Sequence, residues 1–211
     1  MPLRAMLLDL DGTLVDSLAD ITASVDHVRA AYGLAPLGTA RVRAMVGDGA
    51  ARLLARALAD RDPVPPLAEL WPRYEAHHEA QCTRLVRPYP GVVDALRRWR
   101  QAGVRTAVVT NKPERFATRI LEHLNLHVDT VVGGDTLPER KPSPAPLLEA
   151  LRRLGVAPGD AAMLGDGVQD LRAGKAAGVR TIAALWGFRS EAELRAEGAD
   201  EYRQTPLGPA P

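Results

Sequence analysis

Two aspartates stand two positions apart in the stretch "LDLDGTLVD" at residues 8–16, beside an apolar run typical of a buried strand. Strand side chains alternate between two faces, so Asp9 and Asp11 are predicted to point to the same side. Neighbouring carboxylates repel each other, and burying them without a cation is costly. The pair therefore indicates a functional site that includes a positively charged group.

Further polar residues follow the other predicted strands, at the point where each strand ends. We predict strands over residues 4–10, 104–111, 129–134, 160–166 and 179–185. The carboxyl ends of parallel strands meet at one edge of a sheet, where ligands bind. The residues expected at that edge include Asp9, Asp11, Gly12, Thr13, Thr110, Asn111, Gly133, Gly134, Asp135, Lys141, Gly165, Asp166, Gly167 and Asp170.

The acidic members of this set predict a metal site. Four carboxylates in one crevice raise each other's pKa unless a cation neutralises them. Because the set offers oxygen ligands and no His or Cys, Mg²⁺ is favoured over Zn²⁺. Such an ion usually leaves positions open for water and a phosphate oxygen. The remaining groups would then clamp a phosphoryl group, namely Thr110, Asn111, Lys141 and the backbone N–H groups of Gly12 and Thr13.

The order of the elements predicts an α/β fold. Strands alternate with helices from residue 88 onward, which is typical of a doubly wound parallel sheet. Residues 16–82 instead carry apolar residues at helical spacing. We therefore predict a Rossmann-like core of residues 1–15 and 83–211, with an inserted helical domain of residues 16–82.

The composition limits the classes of function. The 211-residue chain is 46% apolar, and its 27 basic and 26 acidic side chains give a formal net charge of +1. The basic residues are scattered, so neither nucleic acid nor a membrane is an expected partner. No segment resembles a secretory signal or a membrane span, which predicts a cytoplasmic location. The single cysteine, Cys82, excludes an internal disulfide.

Four motifs in order give the chain a family resemblance. They are "DLDGTLVDS" at 9–17, "VVTNK" at 108–112, "RKPSP" at 140–144 and "LGDGVQD" at 164–170. They are similar to the four motifs of the haloacid dehalogenase superfamily, and the helical insert lies where that superfamily has its type-1 cap. Four ordered motifs are far more specific than any one of them.

The resemblance implies a role for each matched residue. Asp9 would be the nucleophile that becomes an aspartyl-phosphate, and Asp11 the acid and base. Thr110 and Asn111 would orient the phosphoryl oxygens, and Lys141 would neutralise them. The Mg²⁺ ligands would be Asp9, the Asp11 carbonyl and Asp166, with Asp170 as a direct or indirect partner. Gly167 stands where many relatives have a hydroxyl, which would loosen the metal shell.

Within the superfamily, three segments resemble phosphoglycolate phosphatases. They are "MVGDGARLLARAL" at 45–57, "PYPGVVDAL" at 88–96 and "GGDTLPERKPSPAPL" at 133–147. This resemblance implies a small phosphorylated metabolite, 2-phosphoglycolate, as substrate, and the cap glycines Gly47 and Gly49 as binding residues. Asp48 between them is an unfavourable neighbour for an anion. We expect a monomer or a homodimer.

Several alternatives share these motifs. The chain could be a phosphomutase resembling β-phosphoglucomutase, although Gly47-Asp48-Gly49-Ala50 replaces the Gly-x-x-Arg stretch usual there. It could hydrolyse sugar phosphates, nucleotides or pyrophosphate. A phospho-aspartate receiver module and a catalytically inactive scaffold are two further readings. The length and the helical insert argue against a receiver.

Two histidines and two aromatic residues lie outside these motifs, and the sequence gives them less specific roles. His77 and His78 lie among glutamates, and adjacent helical positions point about a hundred degrees apart, which favours a solvated helix face over a metal site. Trp186 and Phe188 follow the last predicted strand and are candidates for the substrate entrance.

Overall fold

The computed structural model describes residues 3–207. In chain order its elements are β1 (Ala5–Leu8), β2 (Val15–Asp16), α1 (Leu18–Ala31), α2 (Thr39–Met45), α3 (Ala50–Ala57), α4 (Leu67–Gln81), β3 (Arg87–Pro88), α5 (Val92–Gln101), β4 (Arg105–Val109), α6 (Glu114–His123), β5 (Thr130–Val132), α7 (Ala145–Leu154), β6 (Ala161–Gly165), α8 (Val168–Ala177), β7 (Arg180–Ala184), α9 (Glu191–Glu197) and β8 (Glu201–Arg203).

Six parallel strands form one sheet in the order β5-β4-β1-β6-β7-β8, which confirms the predicted doubly wound α/β fold. The strand order reverses between the neighbours β1 and β6. A crevice opens at such a reversal, beyond the carboxyl ends of the strands. The sheet therefore places the segments after β1 and β6 side by side. The short strand β8 was not predicted.

Alternating side chains of β1 bury both faces of the sheet. Met6 and Leu8 pack into a cluster with residues of α5 and α6, including Phe116. Ala5 and Leu7 point the other way, into a cluster with residues of α7 and α8, including Leu147. A strand covered on both faces reads as a continuous apolar run, as this one does.

Helices α1 to α4, called the cap below, pack around an apolar cluster that includes Val25, Val42 and Leu54, and Phe188 of the core joins this cluster. The chain leaves for the cap along β2 and returns along β3, and these two strands pair antiparallel, with Val15 opposite Pro88. The domain boundaries at residues 15 and 83 stay a prediction. None of the helices within residues 3–207 is long and apolar enough to cross a membrane.

Buried Asp20 fastens the returning chain to α1. Its carboxylate accepts hydrogen bonds from Gln81 Nε2 at 2.8 Å, from the Leu85 N–H at 3.0 Å and from the Val86 N–H at 2.8 Å. Since removing a buried charged acceptor leaves its donors unpartnered, Asp20→Ala is expected to lower the free energy of unfolding by about 2 to 4 kcal/mol.

Urea denaturation measures this loss. Asp94→Ala is the control, because the Asp94 carboxylate pairs with Arg97 on the surface and such pairs contribute about 0 to 1 kcal/mol. Equal losses in the two variants would contradict the anchoring role of Asp20.

Candidate active site

Three buried carboxylates lie close together where the strand order of the sheet reverses, beyond the ends of β1 and β6. Asp9, Asp166 and Asp170 each offer an oxygen, and these oxygens lie within 4.8 Å of one another. The ammonium group of buried Lys141 lies among them, 2.8 Å from Asp9 Oδ1 and 2.6 Å from Asp170 Oδ1, and donates to the Val109 carbonyl at 2.5 Å. One lysine thus partly balances three acids that come from the ends of β1 and β6 and from α8.

The loops around Asp166 hold its carboxylate tightly. Thr13 Oγ1 lies 2.8 Å from Asp166 Oδ1, and the Phe188 N–H donates to Oδ2 at 2.7 Å. A Cβ on Gly12 would lie 2.3 Å from Asp166 Oδ2, and one on Gly187 would lie 2.2 Å from the Asp166 Cβ. Only glycine fits at these two positions while the carboxylate keeps this orientation.

The electrostatics of the cluster suit a divalent cation. Burial and the neighbouring carboxylates of Asp170 and Asp166 raise the pKa of Asp9 to about 8. Burial and Asp170 raise the pKa of Asp166 to about 6. Carboxylates that repel one another in a dry site, with oxygen donors alone, match the preferences of hard cations such as Mg²⁺. The Gly167 N–H supports Asp170 Oδ2 at 2.9 Å, a contact that needs no side-chain hydroxyl.

These pKa shifts predict how stability changes with pH. The folded-state pKa values of Asp9 and Asp166 lie above the ordinary aspartate pKa of 3.8, so the favourable contribution of these two groups is present below that value. It is lost as the pH rises through the folded pKa values, from about 4 to about 8. Metal-free protein is expected to unfold at a lower temperature near pH 8 than near pH 5, and Mg²⁺ to stabilise it more at the higher pH.

Thermal unfolding in EDTA and in MgCl₂ at both pH values checks this expectation. Asp9→Asn is the matched control, since it removes the group with the largest shift and should flatten the pH dependence of the metal-free protein. The expectation would be contradicted if the Tm of the metal-free wild type rose between pH 5 and pH 8 while that of Asp9→Asn did not.

Asp11 lies outside the cluster of three buried carboxylates, although the sequence predicts four carboxylates in one crevice. Strand β1 ends at Leu8, so strand alternation does not align Asp9 with Asp11 as expected. The Asp11 carboxylate accepts from Ser17 Oγ at 2.5 Å and from Lys112 Nζ at 3.1 Å. Asp9 and Asp11 nevertheless line the same cavity. Lys112 is the last residue of the motif at 108–112, but its position in the sequence indicated no role.

The side chain of Asn111 is used differently from the expectation. Its Nδ2 donates to the carbonyls of Gly47 and Lys141, both at 2.9 Å, and its Oδ1 accepts from the Lys141 N–H at 3.0 Å. The amide therefore joins the cap to the loop that carries Lys141, and a phosphoryl oxygen would have to displace one of these contacts. Thr110 is one of the residues that line the cavity, and its Oγ1 accepts from the Lys112 N–H at 3.2 Å.

The backbone donors predicted at Gly12 and Thr13 already have partners. The Gly12 N–H donates to the Val15 carbonyl at 2.9 Å, and the Thr13 N–H donates to the Leu10 carbonyl at 3.2 Å. Both bonds close the turn after β1, so the expectation of free N–H groups is wrong in this structure. The Thr13 hydroxyl instead orients Asp166.

The cap loop that contains Gly47 and Gly49 lies close to the core, and the close approach leaves little room for a side chain at Gly49. Gly49 has a φ of +87°, and a Cβ there would lie 3.2 Å from the Asn111 carbonyl oxygen. Both glycines line the cavity. Asp48 does not, because its carboxylate pairs with Arg56 at 2.5 Å. The loop can therefore approach an anion without presenting this charge.

A cavity of about 50 Å³ lies between the cap and the sheet edge. This volume holds only a few water molecules. The core side contributes mainly polar groups, among them Asp9, Asp11, Thr110 and Lys112, whereas the cap side contributes mainly apolar ones, among them Ile21, Val46, Leu53 and Tyr74. The cavity therefore has a mainly polar wall on the core side and a mainly apolar wall on the cap side.

Two arginines form hydrogen bonds between cap and core, one donating from the cap and the other from the core. No sequence motif indicated these contacts. From the cap, Arg43 donates to the carbonyls of Phe188 at 2.9 Å and Gly187 at 2.5 Å. From the core, Arg189 donates to the carbonyls of Ala44 and Val46, the latter at 2.7 Å. The two hydrogen bonds of Arg43 go to the loop whose Phe188 N–H donates to Asp166. A chain of hydrogen bonds therefore runs from the cap to the acidic cluster.

The ring-bearing residues also differ from expectation. Trp186 and Phe188 are not among the residues that line the cavity; Trp186 Nε1 instead donates to the Thr13 carbonyl at 2.9 Å. His78 is buried rather than solvated and lies on the cavity wall, whereas His77 stacks on His27. The two histidines point to different sides of α4, so the prediction of one solvated face is wrong for His78.

Several known proteins are similar to this chain in sequence and in fold. Residues 6–184 match the family model described as haloacid dehalogenase-like hydrolase. Phosphoglycolate phosphatase 1 of Pseudomonas aeruginosa is 41% identical over 196 residues, which cover 88% of this chain and 70% of that protein. Two solved structures are also similar. A predicted phosphoglycolate phosphatase from Haemophilus somnus has a TM-score of 0.90 and 26% identity, and the match covers 97% of this chain and 95% of that one. CbbY from Rhodobacter sphaeroides, in complex with phosphate, has a TM-score of 0.83 and 28% identity over the same shares. On its sequence and its fold, the chain belongs to the haloacid dehalogenase-like hydrolase family.

Proposed function

We propose that this protein is a Mg²⁺-dependent phosphatase that hydrolyses 2-phosphoglycolate to glycolate and phosphate through an aspartyl-phosphate at Asp9. The observation that carries the proposal is the pair of carboxylates, Asp9 and Asp11, on one small cavity, each held by its own lysine. Within residues 3–207, the hydrogen bond to the Asp9 carboxylate goes to Oδ1, which leaves Oδ2 for attack.

The acidic cluster would hold the metal. Asp9, Asp166 and Asp170 fit a hard divalent cation by donor type and by spacing, and the Asp11 carbonyl is the fourth proposed ligand. When bound, Mg²⁺ supplies positive charge that neutralises the phosphoryl oxygens and the carboxylates. A buried lysine alone leaves this cluster with excess negative charge, which supports a metal requirement.

The proposed reaction has two steps, and Asp9 and Asp11 take part in both. Asp9 attacks phosphorus, the bond to the leaving oxygen breaks, and that oxygen takes a proton from Asp11. Asp11 then removes a proton from water, which attacks phosphorus and releases phosphate, so that the Asp9 carboxylate is restored. Ser17 and Lys112 keep the Asp11 carboxyl in place for both proton transfers.

The lining of the cavity favours a small ester. Cap residues, among them Ile21, Leu53 and Tyr74, lie on the same cavity as Asp9, which limits how far a substrate can extend beyond its phosphoryl group. The relatives named phosphoglycolate phosphatase support 2-phosphoglycolate within that class. The cytoplasmic location and the monomeric or homodimeric state remain predictions from the sequence.

A substrate panel tests the proposal. Phosphate release with MgCl₂ is measured for 2-phosphoglycolate, a sugar phosphate, a nucleotide and pyrophosphate. We expect kcat/KM to be at least about tenfold higher for 2-phosphoglycolate, since a site built to bind a polar substrate group rejects compounds that lack it. Conversion of a sugar 1-phosphate to its 6-phosphate without net phosphate release would replace the phosphatase with a mutase.

A further inference from the structure

Lys112 brings a positive charge to the cavity. Of the described residues that line the cavity, it is the only one with a cationic side chain. His78 on the same lining is neutral, because burial, followed by the charge of nearby Lys112, lowers the pKa of its imidazole to about 2. Lys141, also buried, contacts Asp9 and Asp170 and belongs to the acidic cluster. An anionic part of the substrate beyond the phosphoryl group therefore has Lys112 as its cationic partner on this lining.

The ammonium group of Lys112 lies beside the acid that the leaving group must contact. Nζ is 3.1 Å from Asp11 Oδ2 and 3.2 Å from Asp11 Oδ1. In the proposed reaction, the Asp11 carboxyl gives its proton to the leaving oxygen, so the two groups come within hydrogen-bond distance. In 2-phosphoglycolate, the carboxyl carbon is two bonds from that oxygen. A carboxylate on the leaving group is therefore within reach of Nζ.

The ammonium group has hydrogen-bonding capacity left. It carries three N–H groups, and no more than two of them can point at one carboxylate. Within residues 3–207, the contacts of Nζ go to the carboxylate of Asp11 alone. The Lys112 side chain is 6% exposed, and an unpaired N–H in such a buried place is costly. The arrangement therefore indicates a further acceptor, which the substrate can supply.

A lysine shared between two carboxylates already occurs in this protein. Lys141 Nζ lies 2.8 Å from Asp9 Oδ1 and 2.6 Å from Asp170 Oδ1. A substrate carboxylate can approach Lys112 in the same way while the contact with Asp11 is kept. The contact that the structure shows at Lys112 is therefore compatible with binding a second anion.

The core fixes the backbone from which this side chain extends. The Lys112 N–H donates to Thr110 Oγ1 at 3.2 Å, and the Lys112 carbonyl accepts from the Gly134 N–H at 2.8 Å. A binding group that is already ordered loses little conformational freedom when its ligand arrives. Lys112 is therefore a preorganised partner for an anion.

The remaining lining favours a carboxylate over a neutral polar group. Hydrogen bonds with an ionised partner are roughly twice as strong as neutral ones. Ile21, Val46 and Leu53 have apolar side chains, which offer a hydroxyl or an amide of the substrate no partner. Asp48, the acid of the cap loop, pairs with Arg56 and does not line the cavity. An anion next to Lys112 is therefore not repelled by that carboxylate.

We propose that Lys112 Nζ binds the carboxylate of the leaving group and thereby selects phosphate esters in which a carboxylate lies close to the bridging oxygen. This inference rests on the proposed phosphatase function and names the residue that recognises the part of the substrate not transferred to Asp9. Lys112 then has two roles, since it positions the Asp11 carboxyl and determines specificity.

The test compares two esters that differ in the carboxylate. 2-Phosphoglycolate carries it, and ethyl phosphate has a methyl group in its place. Lys112→Met removes the charge and keeps a long side chain. Because Asp11 acts on both esters, a change in its position lowers both kcat/KM values by the same factor, and their ratio reports recognition. We expect the ratio to fall about 10- to 100-fold, mainly through KM for 2-phosphoglycolate, and Lys112→Arg to recover part of it.

A second measurement avoids the chemical step. 3-Phosphonopropionate and propylphosphonate resemble the two esters, but a carbon atom replaces the bridging oxygen, so they are not hydrolysed. Their inhibition constants are measured with MgCl₂ present. We expect the wild type to bind the carboxylate compound at least about tenfold more tightly, and Lys112→Met to bind the two compounds within about threefold of each other.

Two variants serve as controls. Ser17→Ala removes another donor to the Asp11 carboxylate, at 2.5 Å, and keeps Lys112. It should lower kcat on both esters equally and leave their ratio unchanged. Lys175→Met removes an exposed ammonium group and should change neither value. Thermal unfolding reports whether each variant is folded, and Lys112→Gln replaces Lys112→Met in both measurements if the latter is not.

The outcomes separate the two proposals. If the wild type prefers neither 2-phosphoglycolate nor 3-phosphonopropionate over the matched compound, the proposed substrate is wrong, and the role of Lys112 fails with it. If the wild type has the preference and Lys112→Met keeps it, only the role of Lys112 is overturned. An equal loss on both esters in Lys112→Met would assign the effect to the position of Asp11 and overturn recognition by Lys112. A ratio that also falls in Ser17→Ala would do the same.

Discussion

Asp9→Asn is expected to lower kcat by at least about 10⁴-fold, the scale of losses when an enzyme nucleophile is removed. The amide keeps the size of the side chain and loses the attacking charge. Lys141 can still contact the carbonyl oxygen of the amide, so the surrounding hydrogen bonds need not collapse. The variant therefore separates chemistry from folding.

The same variant should be no less stable than the wild type without metal. Burial and repulsion by Asp170 and Asp166 make the Asp9 charge unfavourable, as its raised pKa indicates, and the substitution removes that charge. Phosphate release and thermal unfolding in EDTA measure the two effects, with the exposed Asp94→Asn as control. Activity within about tenfold of the wild type would contradict a nucleophilic Asp9.

Lys141→Met should have the second largest effect, on activity and on stability together. The ammonium group contacts both Asp9 and Asp170, and without it these two buried carboxylates lose their direct cation, next to the third carboxylate of Asp166. Breaking a buried ion pair by removing one partner costs about 3 to 5 kcal/mol. We expect that loss in metal-free protein near pH 8, and a fall in kcat of about 10³-fold or more, because a charged group that stabilises the transition state is absent.

Denaturation in EDTA and in MgCl₂ distinguishes the two contributions of Lys141. A bound cation should restore part of the stability, since it neutralises the same carboxylates, but it should leave most of the loss in activity. Lys175→Met is the control, because Lys175 is exposed and, within residues 3–207, its ammonium group donates to the backbone carbonyl of Glu197 rather than to a carboxylate. Full stability of Lys141→Met in EDTA would show that the lysine does not balance the cluster.

The core of the fold follows from patterns that act over short stretches of chain. The apolar run at β1 and the β-branched run at β4 predict buried parallel strands, and strand order then brings Asp9 next to Asp166. The positions of the acids were therefore accessible from the sequence, although the predicted strand 4–10 is longer than β1.

Hydrogen-bond partners were less accessible, because they depend on how loops from distant segments meet. Asn111 has the residue type of a phosphoryl ligand, yet its amide bridges the cap and the Lys141 loop. The contacts of Arg43 and Arg189 go to backbone carbonyls, which every residue offers and no motif marks. Such partners become known only when the position of the cap on the core is known.

The burial of His78 shows a similar limit. His77 and His78 are adjacent and identical in type, and a rotation of α4 by one residue would exchange their environments. The packing of α4 on α1, with the contact between His78 and Ser24, decides which of them lies on the cavity wall. The sequence alone offered no sign of that choice.

The central claim, nucleophilic attack by Asp9, is tested most directly by trapping the intermediate. Enzyme mixed with 2-phosphoglycolate and MgCl₂ is quenched in acid and reduced with borohydride, which converts an aspartyl-phosphate to homoserine. Peptide mass spectrometry then locates the modified residue. We predict homoserine at position 9, dependent on substrate and absent in Asp9→Asn. Turnover without modification at position 9, or with modification of another carboxylate, would contradict the mechanism.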